Sequence, residues 1–311
     1  MKRTVLAVVL GLSFAAACGP ASRPDNFGTS DGGNGSGNGS GNGSGGDGCS
    51  ASAKLIFTVD SNNTLSTFNP TTKAFTDLGT LSCPAGSGYN PFSMGVDRNA
   101  VAYVLYVNQD ATTGSVNGTK LFKVDTTSSA LTCTATTFSP GNYKEFGMGF
   151  STTMAGGSTD QLFIAGGANV ATTATTNLTT VDVSSYAVGS PHTITGSPEL
   201  TGNSNAELWG FFPDSSSPKI EQINKATGAA DHTYPLTDSS FIGQPLAWAF
   251  AFYGGDYYIF LMKDNSGGFN PETSTTVYQV DATGVLKGKT PTGTRTIVGA
   301  GVSTCAPVVI Q

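Results

Sequence analysis

The chain reads as an all-β domain of five repeated four-stranded units joined in a closed ring, and three observations predict it. First, one phrase recurs five times: an apolar residue, two variable residues, a second apolar residue, then Asp or Asn opening a Thr/Ser/Gly-rich turn. The copies are Leu65 to Asn69, Leu121 to Asp125, Leu178 to Asp182, Ile220 to Asn224 and Val277 to Asp281. Their starts lie 56, 57, 42 and 57 residues apart, a period at which repeats stack so that each unit buries its apolar face against the next. Second, a short β-branched or aromatic run precedes each phrase, and four of these runs follow an earlier one. Third, only 12% of residues are charged while 41 are glycine; with Thr and Ser abundant, the composition suits strands and turns better than helices.

In chain order, Lys2 and Arg3, the apolar stretch Thr4 to Phe14 and the small residues Ala15 to Ala17 make a secretory leader over residues 1–17. The apolar stretch falls short of the ~20 residues that span a bilayer. Small residues ahead of Cys18 resemble the bacterial lipobox, with Ala15 where that motif usually has Leu. The resemblance implies cleavage before Cys18, lipidation of that residue and retention on a membrane; Gly19 in place of Asp implies the outer membrane. Residues 18–48 offer almost nothing apolar to bury and repeat Gly-Asn-Gly-Ser between Gly33 and Gly45, so they are expected to form a disordered linker. As a flexible coil it would span about 30 Å. The domain proper is expected over 49–311.

Within it, the runs ahead of the phrases are Leu55 to Val59, Val101 to Val107, Gln161 to Ala165, Glu207 to Phe212 and Asp256 to Met262. The earlier elements are Phe92 to Val96, Phe146 to Phe150, Glu199 to Gly202 and Ala247 to Phe252. Several alternate small and large residues, as suits strands crowding a narrow axis. Cys49 to Lys54 leaves no room for such an element in the first unit, whereas Pro307 to Gln311 supplies a surplus apolar run at the other end. The C-terminal strand is therefore expected to complete the first unit and remove the free sheet edge.

The arrangement resembles a five-bladed β-propeller, loosely those bacterial propellers whose blades carry an Asp-x-x-Thr-Gly turn; Asn224 to Gly228 and Asp281 to Gly284 come closest. The whole also resembles uncharacterised secreted lipoproteins of Gram-negative soil bacteria, which implies an address and no activity. Four cysteines follow Cys18, an even number that in an exported domain reads as two disulfides. Cys83 and Cys133 lie near the outer strands of the first two units, while Cys49 and Cys305 flank the strands where the ends meet. The expected pairs are Cys83 with Cys133 and Cys49 with Cys305.

Setting Lys2 and Arg3 aside, 13 basic residues face 21 acidic ones without a basic cluster, which argues against nucleic acid. No Cys-x-x-Cys pair occurs and the two histidines, His192 and His232, fall in outer strands, so neither a metal site, a cofactor nor a Ser-His-Asp set is expected. The aromatics around Trp209 and Trp248 to Tyr258 alternate with Ala on one strand, which reads as packing between blades.

The candidate binding face gathers the loops at the inner-strand starts: Tyr89, Asn90, Tyr143, Glu145, Glu199 and Gln244. The expected function is a monomeric, lipid-anchored envelope module that presents this face to a protein or glycan ligand. The alternative is an envelope polysaccharide hydrolase. Five-bladed glycosidases resemble this layout, and the resemblance would make Glu145 and Glu199 the acid pair, about 5 to 9.5 Å apart. Asp97 and Asp214 fall at the far strand ends and supply no third acid at that mouth.

Overall fold

The computed structural model describes residues 49–110, 112–168 and 175–309; the leader, Cys18 and the linker lie outside them. The described residues form five antiparallel sheets of four strands each. The first contains β1 (Ile56–Asp60), β2 (Thr64–Asn69) and β3 (Ala74–Thr80); the second β4 (Tyr89–Val96), β5 (Val101–Gln109), β6 (Val116–Asp125) and β7 (Cys133–Ala135). The third is β8 (Glu145–Thr152), β9 (Asp160–Gly167), β10 (Thr175–Val181) and β11 (His192–Thr195); the fourth β12 (Glu199–Gly202), β13 (Leu208–Phe212), β14 (Lys219–Ile223) and β15 (Ala230–Pro235). The fifth is β16 (Gln244–Tyr253), β17 (Asp256–Asp264), β18 (Thr276–Val280) and β19 (Leu286–Pro291), and β20 (Ile297–Val302) returns to the first sheet beside β1.

The recurring phrase is the third strand of every blade, and its terminal Asp or Asn makes the same local turn each time. Asn69, Asp125, Asp182, Asn224 and Asp281 each accept the backbone N–H two residues on, at 2.8 to 3.1 Å. A short polar side chain that imitates a backbone turn explains why this position varies only between Asp and Asn. The hydrogen bonds favour the charged form, so the Asp125, Asp182 and Asp281 carboxyls titrate below the usual range, Asp182 at about 2.

The C-terminal strand does close the ring, but it is β20, Ile297–Val302, and not Pro307 to Gln311. Residues 307–309 form no strand, and Ile310 and Gln311 lie outside the described residues. The reason is steric. The closing strand must pass close to β4, and Gly299 and Gly301 allow that: a Cβ on Gly299 would stand 2.9 Å from the Met94 nitrogen, and one on Gly301 3.0 Å from the Val96 nitrogen. The more apolar run after Cys305 has no glycine to admit a neighbouring backbone. A like approach occurs at Gly147, where a Cβ would run into the Pro198 carbonyl and stand 2.7 Å from Glu199 Cα.

The inner strands neighbour one another in the cycle β4, β8, β12, β16, β20, so five wedges separate five blades. Each wedge holds its own apolar cluster. Met94 and Val104 pack against Phe57 and Val59 between blades 1 and 2; Phe146, Met148 and Phe150 against Leu105 between blades 2 and 3; Leu200 and Phe212 against Phe163 between blades 3 and 4. Phe250 and Phe252 join Trp209 and Tyr257 between blades 4 and 5, while Ala249 and Ala251 face Phe68 and Ala300 between blades 5 and 1. The alternating Trp/Phe and Ala strand thus serves two wedges, large residues to one side and small to the other.

Both disulfides form as expected. Cys83 and Cys133 join blades 1 and 2 with Cα atoms 4.9 Å apart, and Cys49 and Cys305 join the chain ahead of β1 to the chain after β20 with Cα atoms 5.8 Å apart.

Candidate functional site

All inner strands run in one direction. Thr152 and Phe252, near the ends of β8 and β16, bond with their backbone N–H groups to Asn203 and Thr201 at the end of β12. The starts of the inner strands therefore share one face, here the upper, and their ends share the lower. The six candidate residues divide by depth. Asn90 and Gln244 are exposed on the upper face, and Tyr89 is half-buried with the Lys120 ammonium 4.7 Å from its ring centroid. Lys120 also donates to the Ala85 carbonyl at 2.8 Å, which fixes the cation over the ring.

Tyr143, Glu145 and Glu199 are inside. Burial raises the Tyr143 phenol above its ordinary value. Glu145 is 1% exposed and accepts from Gln109 Nε2 at 2.8 Å, a residue at the upper end of β5. Glu199 is 3% exposed and accepts from Ser93 Oγ at 2.9 Å. Ser93 belongs to blade 2 and Glu199 to blade 4, so this bond crosses the axis past blade 3. The Met148 backbone N–H is a second donor to the same carboxyl. Burial pushes Glu199 well above the usual carboxylate range, and the two donors offset only part of that.

The two glutamates hold different positions. Gly147 lies beside Glu199, so Glu145 sits two residues nearer the upper face, with a different partner. The axis itself is narrow, because β20 comes within 8 Å, Cα to Cα, of both β8 and β12 across the ring. Glu199 and Ser93 meet across it. Asp97 follows β4 on the lower face, as expected, but Asp214 does not lie at the far end: it follows β13, whose Phe211 stands opposite Glu199 at the start of β12, and the neighbouring Ser215 carbonyl accepts the Gly243 N–H ahead of β16, so Asp214 is on the upper face. Each aspartate is engaged by backbone N–H groups within its own turn. His192 and His232 lie in the outer strands β11 and β15. Among the described residues, no group of three or more His, Cys, Asp or Glu could hold a metal ion.

Sequence reasoning missed a polar clasp on the lower face. Arg98, just after β4, donates from Nη2 to Asp160 Oδ1 at 2.8 Å, to the Gly157 carbonyl at 3.2 Å and to Thr304 Oγ1 at 3.2 Å. Thr304 in turn donates to Asp160 at 2.7 Å. One guanidinium so joins blades 2 and 3 to the chain after β20. A signal existed: Arg98 and Arg295 are the only arginines between 49 and 311, and each makes a buried or half-buried ion pair. A shallow cavity of about 270 Å³ opens at the base of blade 4 between Glu207, Gln222, Asn224, Lys225 and Asp231, and none of the six candidates lines it.

No protein-family model matches the chain, and no curated protein matches it. Solved structures similar to it include a protein of unknown function from Bacteroides caccae, 12% identical with a TM-score of 0.44 over 80% of this chain and 98% of that one. TolB from Acinetobacter baumannii is 9% identical with a TM-score of 0.43, over 80% and 66% of the two chains. An exo-beta-1,3-galactanase from Clostridium thermocellum is 8% identical with a TM-score of 0.44, over 76% and 52%. At these scores the likeness carries no argument about function, and the propeller architecture rests on the strand order itself.

Proposed function

We propose that the chain is a lipid-anchored module of the outer envelope that holds a propeller above a membrane and offers its upper face to a protein or glycan ligand. The observation that carries this reading is where the domain begins. Cys49 is bonded to Cys305 beyond the lower end of β20, Ser50 donates its N–H to the Arg98 carbonyl at 3.1 Å, and Ser303 donates to the Ala53 carbonyl at 2.7 Å. A tether reaching residue 49 therefore arrives at the lower face, and Tyr89, Asn90 and Gln244 lie on the opposite side. The hydrolase alternative draws no comparable support, since Glu145 and Glu199 are enclosed and each is already engaged by a neighbouring side chain.

The test uses the full chain expressed in a Gram-negative host. Cys18→Ser should release the protein from membranes into the soluble fraction. Single cysteines introduced at Asn90 and Gln244 should react with an impermeant maleimide on lipid-bound protein, and one at Asn99 on the lower face should react less. Binding to envelope polysaccharide and protein fractions should weaken in Asn90→Ala and Gln244→Ala. Equal labelling of both faces, together with unchanged binding in the upper-face variants, would sink the reading. Glycan hydrolysis lost in Glu145→Gln would favour the enzyme instead.

A further inference from the structure

Three polar side-chain atoms in the closing blade are buried and have no hydrogen-bond partner among the described residues: Thr58 Oγ1, Asp60 Oδ2 and Arg295 Nε. They belong to one cluster. Thr58 and Asp60 are two residues apart on β1 and so share a face. Thr58 stands opposite Ser66 in the ladder, and Ser66 donates to Asp77 Oδ1 at 2.6 Å. Asp77 receives Arg295 Nη2 at 3.1 and 3.2 Å on its two oxygens. Arg295 precedes by two residues Ile297, the ladder partner of Asp60. The other oxygen of Asp60 is already engaged, accepting the backbone N–H groups of Asn62 at 3.2 Å and Thr64 at 3.0 Å. Thr58, Asp60, Ser66 and Asp77 are all buried.

We propose that a single internal water is bound here, accepting from the Arg295 Nε–H and the Thr58 hydroxyl and donating to Asp60 Oδ2. Two to four polar partners in a buried place are what an ordered water requires, and the chemistry excludes ions of either sign. A cation would face the guanidinium and give the Nε–H nothing to bond. An anion would face Asp60 and Asp77 together. The charged groups acting on Asp60 are Arg295, which favours its ionised form, and Asp77, which opposes it; burial outweighs both and pushes the carboxyl up to about 7. Above that value the water donates to the ionised Oδ2; below it Oδ2 carries the proton and donates to the water, and the Thr58 hydroxyl, which can rotate, turns to accept from the water.

The test is a crystal structure of the full chain at a resolution that places waters, joined to equilibrium unfolding of Thr58→Val. The expected result is a density peak within hydrogen-bond distance of all three atoms, and an unfolding equilibrium constant about fivefold larger in the variant, because a made hydrogen bond is lost. A dry cluster, or Arg295 Nε bonded directly to Asp60 Oδ2, overturns the proposal. So does a Thr58→Val protein as stable as the wild type or more so, because an unsatisfied buried hydroxyl is better replaced by a methyl.

Discussion

Removing each disulfide in turn tests how far the closure of the ring rests on constraint of the unfolded chain. Cys49 and Cys305 are 256 residues apart in sequence, Cys83 and Cys133 only 50. The chain-entropy relation assigns about 5.5 kcal/mol to the longer loop and about 4 kcal/mol to the shorter, and their difference, three-halves of RT times the logarithm of the length ratio, is about 1.4 kcal/mol. The folded ends keep other bonds when the longer bridge is cut: the β1–β20 ladder, Ser303 to Ala53, and the Arg98 clasp. The loss should therefore show in the unfolded state more than in native distortion. The assay is urea unfolding of Cys49→Ala/Cys305→Ala and Cys83→Ala/Cys133→Ala, followed by near-ultraviolet circular dichroism. The closure variant should unfold at the lower urea concentration, with native spectra retained in both. If the Cys83/Cys133 variant is destabilised as much or more, loop length does not govern and the reasoning is refuted.

Three further outcomes are expected. Gly147→Ala should cost about 1 to 3 kcal/mol by forcing β8 from β12, whereas Gly288→Ala, where a Cβ meets nothing within 4 Å, should change stability by less than about 0.5 kcal/mol; thermal melts of the pair check this. Asp60 holds its proton in the folded state up to about 7 but loses it in the unfolded state near the ordinary aspartate value of 3.8, so its contribution falls as pH rises through that interval. Asp60→Asn should flatten the fall, and an unchanged slope in unfolding measured from pH 4 to 8 would contradict the assignment. Asp160→Ala removes the carboxylate that accepts from both Arg98 Nη2 and Thr304 Oγ1, and denaturant titration should show a loss of roughly 3 kcal/mol.

Much of this was legible in the sequence for local reasons. The phrase announces itself because a third strand needs two inward apolar residues and then an Asx turn, both encoded within five residues. The disulfide partners followed from where the cysteines stand relative to those strands. The closing strand was misplaced because hydrophobic content favours Pro307 to Gln311, while the property that selects Ile297–Val302 is tolerance of a neighbouring backbone at Gly299 and Gly301. Glu145 and Glu199 looked equivalent because both open inner strands, yet their relative height depends on how β12, only four residues long, is set against β8. That register is fixed by packing across a wedge and leaves no local trace. Arg98 and Asp160 are 62 residues apart, and nothing within either segment names the other.

The pairing of β1 with β20 also orders events in time. Ile56 to Asp60 is buried along its whole length once the ring is complete, but the strand that covers its inner edge begins only at Ile297. While the chain is being made, blade 1 keeps an unpaired, apolar edge until Ile297 to Val302 have emerged, and such edges recruit other strands. The protein is thus most prone to aggregation during synthesis, and a chain stopped short of Val302 would carry that hazard permanently.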